Sequence, residues 1–316
     1  MFVVGGESLV DLVQEPPAPD GVIRMTAHQG GSPYNCAIAL AKLGNDSGYL
    51  CPVSKDGFGT YLLGPLQEAG VAPLLPDRVF EPTTLAVVTL NARMEAQYEF
   101  YRGADRAFTA DRLIAALPEA PRLFQIGGFC PIEPEDAAAW LQVAKEALGR
   151  GATLSIDPNV RPSLIADFGG YRQRLDGFLD LAHLIKVSEE DLALLDPERS
   201  VETHAADLLA RPNCELVVVT FGELGSRAFT AAGEARAGIY TPPVFGDTVG
   251  AGDSLMAGIL SILNEQGDLR AGRLRALDGP ALEKVLRFGA IVAGLNCAHK
   301  GCKPPTRDEV DAVLAS

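Results

Sequence analysis

Positive charge is scarce in this 316-residue chain: 27 lysines and arginines face 41 aspartates and glutamates, for a formal net charge of -14. Nucleic acid and anionic membranes bind cationic surfaces, so neither is the expected main partner, although a locally positive nucleotide pocket remains compatible with the total. Histidine is also rare, with four in all, and no Ser/His/Asp arrangement can be traced among them. Six cysteines, at 36, 51, 130, 214, 297 and 302, form no even framework of a small secreted domain, and reduced thiols in a cytoplasm are the expectation. Cys297, His299 and Cys302 lie close together, but no second pair of ligands stands nearby to complete a zinc site. Uninterrupted apolar runs stop well short of the roughly 20 residues a membrane span needs. The opening segment, MFVVGGESLVDLV, lacks a basic start and a cleavage site and reads as a first strand. There is no GxGxxG after that strand and no GxxxxGK[ST], which argues against a dinucleotide oxidoreductase and a P-loop NTPase.

What is present is a globular composition, 47% hydrophobic and 22% charged, in a chain long enough for one large α/β domain with an elaboration. We take residues 1–316 as that single domain. A short buried strand over residues 2–6 continues outward over 9–13. Pro16, Pro17, Pro19, Asp20 and Gly21 then force a turn, after which residues 22–28 return as a partner strand. Ser32 suits an N-cap, Pro33 the first helical position and Gly44 the end of the pattern, which predicts a helix over 33–43. A second helix is expected over 56–70. Two β-rich runs, 84–90 and 96–102, are joined by residues 91–95, with Tyr98 and Phe100 on one face and Glu99 and Tyr101 on the other. The two hairpins are expected to pair into a small sheet, a candidate lid spanning about 9–28 and 84–104.

From residue 110 the texture changes. Buried-type strands at 123–127, 153–157, 184–187 and 216–220 alternate with helical stretches such as 134–148 and 201–209. This pattern predicts right-handed βαβ units and a Rossmann-like, mostly parallel sheet covered by helices on both faces. Ligands bind beyond the carboxyl ends of such strands, where the polar clusters Asp157 to Arg161, Lys186 to Glu190 and Thr220 to Gly225 fall. Residues 267–279 read as a surface loop.

The most informative stretch is 247–260, DTVGAGDSLMAGIL, in which a glycine loop opens directly into a helical pattern. Unpaired N–H groups in the first turn of a helix and the positive end of its dipole make Gly250, Ala251 and Gly252 a cradle for an anion. At its mouth stands Asp253, which the same dipole is expected to keep ionised as a proton acceptor. An anion pocket beside a base suits phosphoryl transfer to a hydroxyl. Taken alone, the same residues also describe an ordinary N-cap and a tight turn. Arg161 can present its donor fork to a phosphate or make a surface ion pair. Glu190 and Asp191 can hold magnesium through water or serve as the acidic first turn of a helix. Gly222 and Gly225 permit close approach of a nucleotide or a common turn, and Arg102 either reaches over the pocket or ends a solvated strand.

Together, GGSPYNCAIALAKLG at 30–44, DPNVRP at 157–162, KVSEED at 186–191, TFGELGS at 220–226 and DTVGAGDSLMAGI at 247–259 resemble the ribokinase-like (PfkB) family of sugar kinases, in the family's order and over nearly the whole chain. The resemblance implies ATP-dependent phosphorylation of a sugar hydroxyl, with ATP and Mg2+, and K+ in many members. Asp253 would be the base, and the backbone of Gly250, Ala251 and Gly252 the anion hole. Asp11, Gly30, Gly31 and Asn35 match positions that hold sugar hydroxyls, and Arg102 and Arg161 become candidates for the sugar and the phosphates. Lys186, Ser188, Thr220, Gly222 and Gly225 fall to the nucleotide side, with Asn296 on the helix that flanks adenine. Glu190 and Asp191 stand where the family's NxxE motif handles magnesium, although that motif reads Ser188-Glu189-Glu190-Asp191 here. Asp247 and Val249 match a monovalent-cation loop, and the family's later GA reads Gly301-Cys302. The lid segment 98–106, with GESLVDLV at 6–13, looks most like fructokinases; 2-keto-3-deoxygluconate kinases share a similar lid segment, a nucleoside kinase is a further enzyme alternative, and a catalytically silent binding subunit is the alternative class. A homodimer through the lid sheet fits its aromatic face.

Overall fold

The computed structural model describes every residue except 17–20, 92–95 and 316 and, for Ala96, the backbone alone. The turns expected over 16–21 and 91–95 therefore fall largely outside the described residues. The strands are β1 (Phe2–Gly5), β2 (Leu9–Gln14), β3 (Met25–Gly30), β4 (Ser47–Leu50), β5 (Ala72–Pro73), β6 (Leu85–Leu90), β7 (Ala96–Tyr101), β8 (Leu123–Gly127), β9 (Thr153–Asp157), β10 (Leu184–Ser188), β11 (Leu216–Thr220), β12 (Ser226–Phe229) and β13 (Glu234–Ala237). They form a nine-stranded sheet in the order β13-β12-β11-β10-β9-β8-β1-β4-β5 and a separate four-stranded sheet in the order β3-β2-β6-β7.

From β11 across to β5 the large sheet is parallel throughout, and β12 and β13 close its far edge as antiparallel strands. Strands β1 and β11 are apolar on both faces, while β8 and β9 carry buried Gln125, Thr153 and Ser155 among their apolar residues. Phe2, Val4 and Val218 enter one core with the helices Ser32–Lys42, Ala251–Gln266 and Gly279–Asn296; Val3, Val217 and Val219 enter the other with Pro134–Gly149 and Phe168–Leu179. Period-2 side chains on continuous apolar runs are what a strand buried on both sides requires. Chain order reverses at β1, which lies between β8 and β4. A crevice opens at the carboxyl edge at such a switch point.

The small sheet, termed the lid, joins the two expected hairpins. Its β2 pairs antiparallel with β3 and parallel with β6, which pairs antiparallel with β7. An ion-pair cluster fixes its root to the body. Arg102 donates to Asp105 through Nε and Nη2 at 2.8 and 2.6 Å and also pairs with Asp136 at 3.2 Å. Asp105 in turn accepts the Thr84 hydroxyl.

Two local expectations need correction. Gly31, with φ 110, occupies the N-cap of the helix that begins at Ser32, and no side chain caps it; the Ser32 hydroxyl is used elsewhere, as described below. Segment 267–279 is more than a surface loop, since Leu269, Leu274 and Leu277 are buried. Buried Glu215 accepts the backbone N–H groups of Gly272 and Arg275 there, which holds the segment down.

Gly225 shows how tightly the β11–β12 corner is built. Its φ is 91, and a Cβ added there would lie 2.1 Å from the carbonyl oxygen of Ala237. Gly225→Ala combines left-handed strain with that clash and is expected to lower the unfolding free energy by about 2 kcal/mol. Urea denaturation checks this; an unchanged midpoint would show that the corner relaxes freely.

Candidate active site

At the carboxyl edge of the large sheet, between body and lid, lies a cleft of ≈ 930 Å³. Strand ends and loops from distant parts of the chain meet in it: Asp11 from the lid, Gly30 and Gly31 before the first helix, Asp157 and Arg161 after β9, Lys186, Ser188 and Glu190 around the end of β10, Thr220 at the end of β11, and residues 248–253. Tyr98 and Phe100 line it from the lid side.

The glycine loop opens directly into a helix. Gly250 is the N-cap of the helix Ala251–Gln266 with φ 75, a conformation that favours glycine. A Cβ there would also meet the Cys302 sulfur at 2.3 Å. Loop 247–250 is tied to the C-terminal segment by Asp247, whose carboxylate accepts the N–H groups of Val249 and Gly301 at 2.9 and 2.8 Å.

Asp253, only 9% exposed, faces the N-terminus of the other helix. Its Oδ1 accepts the Ser32 hydroxyl at 2.6 Å and its Oδ2 the Asn35 amide at 2.8 Å. Burial pushes its pKa up to about 6, against the pull of those two hydrogen bonds and of the Lys186 charge. The helix dipole expected to hold the carboxylate ionised is thus outweighed by desolvation, yet the group is still mainly ionised at neutral pH. A carboxylate with this value is a serviceable general base. Asp11 is raised to about 6 as well, by burial opposed by His28 and Arg161.

Several expected ligands have other partners. Arg102 belongs to the lid-root ion cluster with Asp105 and Asp136 instead of the cleft, because those carboxylates occupy its guanidinium. Asn35 lines the cleft but spends its amide on Asp253. Fully buried Asn296 donates to the Val249 carbonyl at 2.8 Å and accepts the Lys303 N–H at 2.8 Å, so it braces the cradle loop and offers no free edge to adenine. In Asp191, one carboxylate oxygen accepts the Val160 N–H and the other the Ser188 N–H, while the Ser188 hydroxyl accepts from Asp191, forming a capping box. That cap is its evident role, and exposed Glu190 is the carboxylate left on the cleft wall. Gly222 and Gly225 make the β11–β12 corner beside the cleft and do not line it. Asp247 and the Val249 carbonyl, expected around a monovalent cation, already hold N–H donors.

Glu7 was not anticipated. It is 4% exposed, lines the cleft, and accepts the Phe129 N–H at 2.9 Å; burial pushes its pKa up to about 7. Its place just past the central strand, where the crevice opens, is the sequence signal that identifies it.

A buried carboxylate at a helix N-terminus, in one cleft with a further carboxylate and the ends of parallel strands, is an arrangement suited to phosphoryl transfer to a hydroxyl. The description "pfkB family carbohydrate kinase" matches residues 2–309. The chain belongs to that family and is an ATP-dependent sugar kinase. It is 34% identical to Fructokinase-2 of Solanum lycopersicum, over 99% of this chain and 96% of that protein, and 32% identical to a fructokinase of Solanum tuberosum, over 99% and 95%. Among solved structures, a fructokinase from Xylella fastidiosa with bound ATP superposes with a TM-score of 0.89 at 26% identity, covering 99% of this chain and 98% of that one. A fructokinase from Vibrio cholerae O395 bound to fructose, ADP and potassium shares the fold at TM-score 0.81 and 22% identity, covering 99% and 97%.

Because the base must be ionised, kcat/KM is expected to fall as pH drops through about 6. A pH profile of the initial rate reads this directly; a flat profile from pH 5 to 8 would remove Asp253 and Asp11 from the free enzyme's essential groups.

Proposed function

We propose that this chain transfers the γ-phosphoryl group of ATP to the 6-hydroxyl of fructose. The observation that carries the reading is Asp253, fixed by Ser32 and Asn35 beside the Gly250–Ala251–Gly252 cradle in the cleft that Asp11 also lines. The sugar occupies the lid side, where Asp11 accepts its hydroxyls and the backbone of Gly30 and Gly31 gives close access; the nucleotide enters over Ser188 and Thr220, with Arg161 toward its phosphates. Asp253 takes the hydroxyl proton as the sugar oxygen attacks in line, and the cradle N–H groups meet the developing charge. Magnesium, when bound, neutralises phosphate charge, and Glu190 is the side chain that would hold it through water. Lid closure excludes water as a competing acceptor.

The fructokinase relatives support fructose as the acceptor, and the ATP named for the Xylella protein and the fructose and ADP named for the Vibrio protein support a nucleotide and a sugar as the ligands. Exposed Tyr101, on the face of the small sheet turned away from the cleft-lining Tyr98 and Phe100, supports a lid-to-lid homodimer, and six unpaired cysteines a reducing, cytoplasmic setting. Among the described residues no helix is long and apolar enough to cross a membrane.

The test is ADP release from magnesium-ATP with fructose, 2-keto-3-deoxygluconate, ribose, glucose and adenosine. Fructose is expected to give the highest kcat/KM, and Asp253→Asn to lower kcat by about 10²-fold or more with substrates still bound. A clear preference for another acceptor overturns the fructose assignment; near-normal turnover by Asp253→Asn overturns the base.

A further inference from the structure

Strands β9 and β10 run in register, Leu184 with Ser155 and Ile185 with Ile156, and the next step along them brings Lys186 beside Asp157. The Lys186 ammonium lies 2.7 Å from Asp157 Oδ2, with the two side chains 6% and 5% exposed. Burying such a pair is costly, and an apolar pair of similar size commonly serves stability as well or better. Stability alone is therefore a poor explanation for it.

Two observations point to a ligand instead. The ammonium borders the anion cradle, since a Cβ built on Gly252 would sit 3.3 Å from Nζ. Asp157 accepts one of its three N–H bonds, which leaves donors for the cleft that Lys186 lines. The second oxygen of Asp157, Oδ1, is buried without a partner although the residue also lines the cleft. A purely structural ion pair is expected to satisfy both oxygens.

We propose that Lys186 and Asp157 act as one couple, in which Lys186 is a catalytic residue donating to the transferring phosphoryl group alongside the cradle N–H groups, and Asp157 is the positioning residue that aims it. This rests on the kinase reading above and goes beyond general nucleotide binding. In the step, a lone pair of the sugar oxygen forms the new O–P bond and the bridging P–O bond breaks with its electrons leaving on ADP. The hydroxyl proton passes to Asp253, and Lys186 keeps all of its protons throughout. Its contribution is electrostatic, in a site that excludes water.

Lys186 has a second effect on the base. The titratable groups around Asp253 are Asp157 and Lys186 at the strand ends, Cys36 on the first helix and Cys302 on the C-terminal segment, and Lys186 is the cation among them. Removing it favours the neutral carboxyl, so the acid limb of kcat/KM moves to higher pH.

The experiment compares wild type, Lys186→Met, Lys186→Arg, Asp157→Asn and the double variant Lys186→Met/Asp157→Asn, with thermal unfolding followed in parallel. Lys186→Met is expected to lose about 10²- to 10³-fold in kcat, the scale of one oxyanion-hole donor, with sugar KM changed less than about threefold and the acid limb displaced upward. Arginine recovers part of the loss. The double variant, which no longer strands a buried carboxylate, regains thermal stability but stays as slow as Lys186→Met. Recovery of turnover in the double variant, or a kcat for Lys186→Met within about threefold of wild type, would overturn the couple and leave a structural ion pair. If wild type phosphorylates no sugar while binding ATP, the kinase reading itself fails, an outcome distinct from either of these.

Discussion

The structure depends on a carboxylate that has been taken out of water. Asp253 sits in the first turn of one buried helix and accepts hydrogen bonds from Ser32 and Asn35 in the first turn of another, across 221 and 218 positions of sequence. Burial raises its pKa to about 6, opposed by two donors and a nearby lysine. Two helix N-termini thus converge on one negative group, and both helices pack in the same core against the same face of the sheet. Displacing either one moves Asp253 relative to the Gly250–Gly252 loop, so packing and the geometry of the cleft are constrained together.

Around this point the parallel sheet supplies rigidity and the loops supply identity. The ends of β9, β10 and β11 bring Asp157, Ser188 and Thr220 to one edge, while Asp247 and Asn296 tie the cradle loop to the C-terminal segment. Across the cleft the lid is anchored by Arg102, Asp105 and Asp136. Phe129 links these regions, with its N–H on Glu7 and its ring against Phe100 of the lid and under Arg102. Buried charges of this kind add little to net stability but fix geometry through the penalty for leaving any of them unpaired.

Periodicity made most of the fold legible in the sequence. The strands at 123–127, 153–157 and 216–220 and the helix over 201–209 have the expected bounds, because apolar runs between turn signals leave little choice of register. The short strands β4, β5, β12 and β13 at the two ends of the large sheet are the ones the pattern does not reveal: with four residues or fewer each, they are strands only because a neighbour offers its edge. In the site, the glycine cradle and Asp253 were readable because their geometry is local. Arg102, Asn35, Asn296 and Asp191 are claimed by partners that the sequence does not announce: some distant in the chain, such as Asp136, Asp253, Val249 and Val160, and some three residues away, such as Asp105 and Ser188, whose pairing depends on the local turn. Ser32 is the clearest instance, since the rule that makes it an N-cap holds only when no buried carboxylate competes for its hydroxyl.

The most direct test of the account is the product itself. Carbon-13-labelled fructose and magnesium-ATP, incubated with the enzyme and followed by carbon and phosphorus NMR, are expected to give one phosphate ester, with phosphorus coupling on carbon 6 of the sugar and one ADP per ester formed. ADP appearing with inorganic phosphate and no ester, or an ester on another carbon, would contradict the claim that this cleft holds fructose with its 6-hydroxyl on Asp253.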